Sequence, residues 1–238
     1  MIHSREVGHV VALWRYPVKS MAGCAVPEVD VSWNGLDGDR RWAFIREGQL
    51  RNGFPWLTLR ERSDMALYQP SFVEPHRPNA SATVVRTPAG RVLDVTDPEL
   101  AAELGAGVRV LKQDRGVFDT MPLSLITTQT IDSLGARVGA PLEVQRFRPN
   151  LVVQAASEAP FPEDEWVGRV LRMGGARMRV DKRDQRCIIV TIEPATTARN
   201  PAILRAIARD RGGALGVYGT TVEPGRVSIG DAVVLEGA

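Results

Sequence analysis

Short runs of β-branched and aromatic residues, separated by frequent turns, are the feature that most limits how this chain folds. The 238 residues include 16 prolines and 22 glycines, which favour turns and end regular elements. Residues 7–18 and 25–33 have strand composition, and the runs 83–86 and 91–95 flank a Pro-Ala-Gly turn that predicts a hairpin. Short strands at this density favour a barrel or a sandwich over alternating βαβ units.

Helices are few and have clear start and stop signals. Helices are predicted over residues 97–105 and 200–213, because each range begins with an Asp-Pro or Asn-Pro pair and ends at glycine. A third helix is predicted from 130 to 139. The apolar run 188–191 predicts a strand, and residues 70–80, with three prolines, predict a mobile loop. The fold class is therefore predicted to be mainly β with few helices (α+β).

Composition argues against several classes of protein. The formal net charge is +2, so no overall field favours nucleic acid. No apolar run approaches the roughly 18 residues of a membrane span, and the first six residues lack the apolar segment of a secretory signal. We expect a cytoplasmic protein with no membrane span. No Gly-x-Gly-x-x-Gly motif follows a strand and no Walker A loop is present.

Charge is locally uneven. Residues 169–211 contain eleven Lys or Arg against four Asp or Glu. Such a stretch can attract nucleic acid, but aromatic residues for base stacking are not interleaved with the cations. A solvated surface is the simplest interpretation of these charges. Because the stretch includes a cysteine, we favour a compact anionic ligand and no nucleic acid partner.

That cysteine, Cys187, is one of two in the chain and follows Lys182, Arg183 and Arg186. Positive charge near a thiol favours its thiolate, the form that attacks electrophiles and binds soft metals. A small buried hydrophobe is the alternative interpretation of a free cysteine. Two cysteines cannot form a disulfide framework. A bridge between Cys24 and Cys187 is not expected in an intracellular chain, and Cys24 is expected to be structural.

Cations and small polar residues cluster at the predicted strand ends, where an anionic ligand would be bound. They are Lys19, Ser20, Arg40, Arg146, Arg148 and Asn150. Thr127, Thr128 and Thr130 fall at a helix start, where backbone amides and the helix dipole favour phosphate. Each of these signals is weak alone, because a single arginine is usually solvated.

Taken in order, these motifs resemble the MOSC family, in the branch with an N-terminal β-barrel domain that includes the mitochondrial amidoxime reducing component. The matching segments are 16–20 (Tyr-Pro-Val-Lys-Ser), 35–42, 58–61 (Thr-Leu-Arg-Glu), 147–150 (Phe-Arg-Pro-Asn), 186–187 (Arg-Cys) and 225–235. The resemblance implies an N-terminal β-barrel-like domain over residues 1–112. It implies a MOSC β-barrel domain, carrying the metal-ligand cysteine, over residues 113–238.

The resemblance also implies a molybdenum cofactor (Mo-molybdopterin), with Cys187 as the thiolate ligand of the metal and the catalytic residue. The positions that correspond to cofactor-binding residues are Lys19, Ser20, Arg40, Thr128, Arg146, Arg148, Asn150 and Arg186. The implied activity is the reduction of a small N-oxygenated substrate, such as a hydroxylamine or an amidoxime, by chemistry that belongs mainly to the cofactor.

Some bacterial relatives carry a ferredoxin domain with four cysteines. Two cysteines cannot ligate an iron–sulfur cluster of that kind, so we expect no such cluster in this chain. Electrons are then expected from a separate donor of the ferredoxin or the cytochrome/flavoprotein type. Two alternatives stay open: a non-enzymatic carrier of molybdenum cofactor or of sulfur, with a persulfide on Cys187, and a basic nucleic-acid-binding β protein.

Overall fold

Strands dominate the regular structure, which a computed structural model describes over residues 4–47 and 54–237. The strands are β1 (Arg5–Arg15), β2 (Cys24–Val26), β3 (Glu28–Ser32), β4 (Gly35–Leu36), β5 (Trp42–Arg46), β6 (Gln69–Phe72), β7 (Thr83–Arg86), β8 (Val92–Asp94), β9 (Val108–Lys112), β10 (Leu123–Thr127), β11 (Leu151–Ala155), β12 (Val170–Met173), β13 (Ala176–Gln185), β14 (Ala214–Glu223), β15 (Gly225–Ser228) and β16 (Ala232–Leu235). The α-helices are α1 (Pro98–Leu104), α2 (Thr128–Val138) and α3 (Pro201–Arg211). Short 3₁₀ turns occur at Ser63–Leu67, Val144–Phe147, Pro162–Trp166 and Ile188–Thr191. The prediction of a mainly β fold with few helices is confirmed.

A closed seven-stranded barrel forms the centre of the structure. Its strands run in the order β11-β10-β14-β13-β12-β16-β1, and β1 closes the ring by pairing with β11. The eleven residues of β1 reach three partners in turn: β16 at the start, β11 in the middle and β2 at the end. Closure leaves these strands without an open edge. The barrel is filled by apolar side chains that include Val10, Leu125, Leu151 and Val217.

Three smaller sheets surround the barrel: β15-β3-β4, β5-β9 and β6-β7-β8. A second core lies beneath the last two and includes Phe44, Met65, Val85 and Leu100, together with Ile192 from the far end of the chain. The second core thus joins residues before and after position 112. Strand β1 also lies before position 112, yet it belongs to the same barrel as β10, β11, β12, β13, β14 and β16. The division into two domains between residues 112 and 113 stays a prediction.

The three helices follow their cap signals. Asp97 accepts a hydrogen bond from the Glu99 amide at the start of α1, and Asn200 accepts one from the Ala202 amide at the start of α3. Helix α2 begins at Thr128, two residues before the predicted start, and ends at Gly139 in the left-handed conformation. Helices α2 and α3 pack their apolar faces on the outside of the barrel. No helix among the described residues is both long and apolar enough to cross a membrane.

Two segments differ from the predictions made from sequence. The run 188–191 is a 3₁₀ turn instead of a strand, because its Val190 turns inward to pack with Ile203 and Ile207 of α3. The predicted mobile loop at 70–80 begins inside strand β6, which pairs with β7. Pro70 is tolerated there because β6 is an edge strand of its sheet.

Candidate functional site

A polar cavity of about 250 Å³ lies where β13 ends, against residues from the first third of the chain. It is called the polar cavity below. Eight of the nine residues predicted for the site line it: Lys19, Ser20, Arg40, Arg146, Arg148, Asn150, Arg186 and Cys187. The ninth, Thr128, does not. Residues more than 160 positions apart in the sequence thus meet at one site.

The Cys187 thiol lies just beyond the last paired residue of β13, where the chain leaves the barrel. Gln185 is the last residue of β13 to pair with β14, and the Arg186 amide donates to the Gly213 carbonyl. Cys187 is free and half-buried. The Arg60 guanidinium lies 3.5 Å from its sulfur. Arg60 therefore places a positive charge directly beside the sulfur.

Arg60 was not among the predicted site residues, although it belongs to the segment 58–61 that supports the family resemblance. Its guanidinium also binds Asp119, at 3.0 Å, and the Lys19 ammonium pairs with the same carboxylate. Burial alone would raise the pKa of Asp119, but the charges and hydrogen bonds of Lys19 and Arg60 outweigh it and lower the pKa. Burial lowers the pKa of Lys19. Asp119 is therefore an anion that holds two cations at the mouth of the site.

Tyr16 lies between two predicted cofactor-binding arginines. The Arg40 and Arg148 guanidinium carbons lie 4.6 Å and 4.3 Å from the centre of its ring. Burial raises the pKa of Tyr16 to about 12 and lowers the pKa of Arg148 to about 10. Arg148 donates from Nη1 to the Met21 carbonyl at 2.7 Å, while its buried Nη2 has no hydrogen-bond partner in the described part of the chain. A donor of this kind is free to bind an anionic ligand.

Three of the predicted residues have strained backbone. Ser20, Arg40 and Arg148 have φ angles of 69°, 49° and 53°. This left-handed region is unfavourable for any residue with a Cβ, and such strain concentrates at functional sites. Within residues 4–47 and 54–237, only Phe161 and Thr197 share it among residues other than glycine. The strain thus coincides with the polar cavity.

The Arg186 side chain is fixed by backbone carbonyls and by a buried acid. Its guanidinium donates to the Leu215 carbonyl at 2.7 Å and to the Phe147 carbonyl at 2.8 Å. The Asp184 carboxylate is at ion-pair distance, 2.8 Å, but is not aligned for a hydrogen bond. Burial raises the pKa of Asp184 to about 6, against the opposing charge of Arg186. Tyr218, whose pKa burial raises to about 12, lines the same wall of the cavity.

Asn150 and Arg146 are largely engaged by the protein itself. The Asn150 amide donates to the Trp14 carbonyl at 3.2 Å, and its oxygen accepts from the Ser124 hydroxyl at 3.3 Å. These bonds tie β1 and β10 together beneath the cavity. Arg146 pairs with Glu193 and is almost fully buried.

The predicted phosphate site at the start of α2 is occupied by a protein carboxylate. The hydroxyls of Thr127 and Thr130 donate to Glu163, at 2.6 Å and 2.7 Å, and Glu163 is completely buried. The Thr128 hydroxyl contacts Gln129 instead of the polar cavity. A glutamate distant in sequence thus contacts this helix terminus, and phosphate binding at Thr128 stays a prediction.

Comparisons with known proteins agree with this architecture. Residues 112–234 match the family model of the MOSC domain, and residues 7–114 match that of the MOSC N-terminal beta barrel domain. The solved YUAD protein from Bacillus subtilis is 13% identical, with a TM-score of 0.56 over the whole of both chains. At that identity the likeness shows the fold alone.

Two curated relatives indicate the range of proteins with similar sequence. The molybdenum cofactor sulfurase of Drosophila grimshawi is 29% identical over an alignment that covers 85% of this chain and 31% of the sulfurase. The mitochondrial amidoxime-reducing component 1 of Mus musculus is 22% identical over an alignment that covers 98% of this chain and 84% of that protein. The chain thus spans less than a third of the sulfurase and most of the second relative.

Proposed function

Because the chain belongs to the MOSC family, we propose that it is a molybdenum-cofactor-binding oxidoreductase. Its substrates are small N-hydroxylated compounds, and its electrons come from a separate donor protein. The observation that carries the proposal is the polar cavity, which joins one cysteine thiol to a concentration of positive charge. The name of the mouse relative supports the substrate class.

The charge of the polar cavity fits an anionic cofactor. Among the described residues, six cationic side chains and two carboxylates line it: Lys19, Arg40, Arg60, Arg146, Arg148 and Arg186 against Asp119 and Asp184. Two further carboxylates, Asp39 and Glu193, pair with Arg40 and Arg146, so six cations against four carboxylates leave an excess of two positive charges. Neighbouring guanidiniums repel one another, and an anion between them removes that cost. The unpartnered Nη2 of Arg148 is one donor that the phosphate of a pterin cofactor would satisfy. The residues present therefore fit Mo-molybdopterin.

Each residue then has a role in the proposal. Cys187 supplies a soft sulfur ligand to the metal, which the dithiolene of the cofactor complements. Lys19, Ser20, Arg40, Arg146, Arg148, Asn150 and Arg186 hold the cofactor, and Arg60 stabilises negative charge beside the thiol. The bound cofactor supplies the two-electron redox chemistry. Thr128 takes no part, because it lies outside the polar cavity.

Cofactor or sulfur carriage is the second candidate function. It is favoured by the likeness to a molybdenum cofactor sulfurase and by Arg60, which would stabilise a persulfide anion on Cys187 as well as a thiolate. A carrier would retain cofactor or sulfur without turning over a hydroxylamine. An artificial electron donor therefore distinguishes the two candidates without knowledge of the natural donor.

The test is purification from a host that makes the cofactor, followed by metal analysis and a turnover assay. We expect the wild type to retain molybdenum and to reduce a hydroxylamine with an artificial donor. Cys187→Ala should lose both, whereas Cys24→Ala, the matched removal of the other cysteine, should retain the metal. Equal molybdenum in Cys187→Ala and wild type would overturn the ligand assignment. Retained metal with no turnover in the wild type would favour the carrier.

A further inference from the structure

Two carboxylates that line the polar cavity, Asp119 and Asp184, lie in opposite environments. Burial would raise the pKa of Asp119, but its contacts with Lys19 and Arg60 lower it. Asp184 is 2% exposed, and burial raises its pKa to about 6. Two acids whose surroundings push their pKa values apart commonly divide the roles of anion and proton donor in one site. Asp184 is therefore a carboxyl of this cavity that can carry a proton near neutral pH.

An irregularity of strand β13 places Asp184 in the cavity wall. The pairing of β13 with β14 changes register between Arg183 and Gln185, so Asp184 stands at a β-bulge. Bulges redirect side chains and are frequent beside active sites. Here the bulge lies three residues before Cys187, and the Asp184 side chain lines the same cavity as the thiol. The backbone thus brings an acid and the proposed metal ligand to one site.

The cations around Asp184 are fixed in place. Arg186 lies 2.8 Å from the carboxylate, and two backbone carbonyls hold its guanidinium. Gly216 allows this position, because a Cβ there would lie 3.1 Å from Arg186 Nη2. Burial raises the pKa of Asp184, and the charge of Asp119 adds to that effect, whereas Arg186 and Arg40 lower it. An anion bound between these cations offsets their charge, so ligand binding drives a proton onto Asp184.

Tyr218 lies between the buried acid and the open part of the cavity. It lines the same wall and is only half-buried. It is close enough to Asp184 that its hydroxyl opposes the effect of burial on the pKa of that acid. Burial raises the pKa of Tyr218 itself to about 12, so its hydroxyl is neutral near pH 7. A neutral hydroxyl both accepts and donates a hydrogen bond, and it can pass a proton from a carboxyl to an oxygen in the cavity.

We propose that Asp184 supplies a proton to the substrate oxygen when the N–O bond breaks, and that Tyr218 passes this proton into the polar cavity. The proposal rests on the proposed function, in which the donor protein supplies two electrons. A hydroxylamine then takes up two electrons and two protons, its N–O bond breaks, and an amine and water leave. One proton comes from Asp184 and the other from solvent, and solvent returns the proton to Asp184.

Infrared spectroscopy tests the protonation of Asp184 without turnover, on cofactor-free and cofactor-loaded protein. The carbonyl band of a protonated carboxyl that is present in wild type and missing from Asp184→Asn belongs to Asp184. We expect this band to titrate at about pH 6 in the cofactor-free protein. In the loaded protein the midpoint should be higher by about one pH unit or more. An equal or lower midpoint in the loaded protein would overturn the proposal.

Turnover of hydroxylamine with an artificial donor, expressed per bound molybdenum, tests the transfer. The kcat of Asp184→Asn should fall about 100-fold, and that of Tyr218→Phe about tenfold. Asp184→Glu, which keeps an acid, should recover part of the loss. Asp181→Asn, on the same strand but outside the cavity lining, is the matched control and should keep the wild-type kcat.

The pH profile separates proton donation from a structural role. A proton donor must be protonated, so the wild-type kcat should approach that of Asp184→Asn as pH rises from about 6 to about 9. A ratio of the two kcat values that is the same at every pH would refute proton donation. If the wild type retains no molybdenum or does not reduce hydroxylamine, the proposed function fails and this assignment fails with it. If the wild type turns over and Asp184→Asn matches it, only the assignment of Asp184 fails.

Discussion

Replacing Ser20 by glycine should stabilise the protein while weakening cofactor retention. Ser20 is buried, lines the polar cavity and has a φ angle of 69°. A residue with a Cβ is strained in this region, whereas glycine is not. We propose that this strain is kept because it places the Ser20 hydroxyl and its neighbour Lys19 at the cofactor. Removing the strain should therefore improve folding at the expense of binding.

The magnitude follows from comparing glycine with alanine at this position, because both substitutions remove the hydroxyl. The left-handed conformation costs a residue with a Cβ about 1–2 kcal/mol. Glycine lowers the free energy of unfolding by about 0.5–1 kcal/mol relative to alanine, because glycine has greater conformational freedom in the unfolded chain. At the midpoints of these two ranges, Ser20→Gly should be about 0.75 kcal/mol more stable than Ser20→Ala. For a chain of this length that difference is a Tm increase of roughly 1–4 °C.

Calorimetric unfolding of the two cofactor-free variants measures the difference directly, and molybdenum analysis of the same variants from a cofactor-making host measures retention. We expect Ser20→Gly to unfold at the higher temperature and both variants to hold less molybdenum than wild type. Equal Tm values, or a lower Tm for Ser20→Gly, would refute the assignment of strain at Ser20. Full molybdenum retention in both would show that the Ser20 hydroxyl does not bind the cofactor.

Two further perturbations test the buried acid and a helix cap. Burial raises the pKa of Asp184 to about 6, above its ordinary value near 4. Between about pH 4 and pH 6 the unfolded chain therefore loses the Asp184 proton more readily than the folded protein does. As pH rises through this range, the wild type loses folding stability relative to Asp184→Asn, which has no carboxyl at this position. The Tm of Asp184→Asn minus that of wild type should thus be more positive at pH 7.5 than at pH 4.5, and a constant difference would contradict the raised pKa. Asn200 accepts from the Ala202 amide at 3.1 Å, so Asn200→Ala should cost about 1 kcal/mol in urea unfolding. Asn200→Ser, which keeps a capping oxygen, should cost less, and equal losses would refute the cap.

Local structure was largely predictable from the sequence. The hairpin of β7 and β8 and the caps at Asp97 and Asn200 depend on neighbouring residues, and these features appear where the sequence predicts them. Closure of the barrel was harder to predict from the sequence, because it depends on β1 pairing with β11 across more than a hundred residues. The 3₁₀ turn after Cys187 has strand composition, and tertiary packing against α3 overrides that local preference.

The candidate site divides in the same way. The motifs that contain Lys19, Arg148 and Cys187 were recognisable by their order along the chain, and the structure brings these residues to one cavity. The contact of Arg60 with Cys187 and the packing of Tyr16 between two arginines depend on segments that meet only in the fold. The contact of Glu163 with Thr127 and Thr130 also depends on a distant segment, and a phosphate site at Thr128 stays a prediction.

We propose that Cys187 binds molybdenum within the polar cavity. X-ray absorption at the molybdenum edge can count the sulfur neighbours of the metal in wild type and in Cys187→Ser, both purified from a host that makes the cofactor. We expect the metal in wild type to have one more sulfur neighbour than the two of a dithiolene. This additional sulfur should be missing from whatever molybdenum Cys187→Ser retains. The same number of sulfur neighbours in both proteins would show that Cys187 is not a ligand.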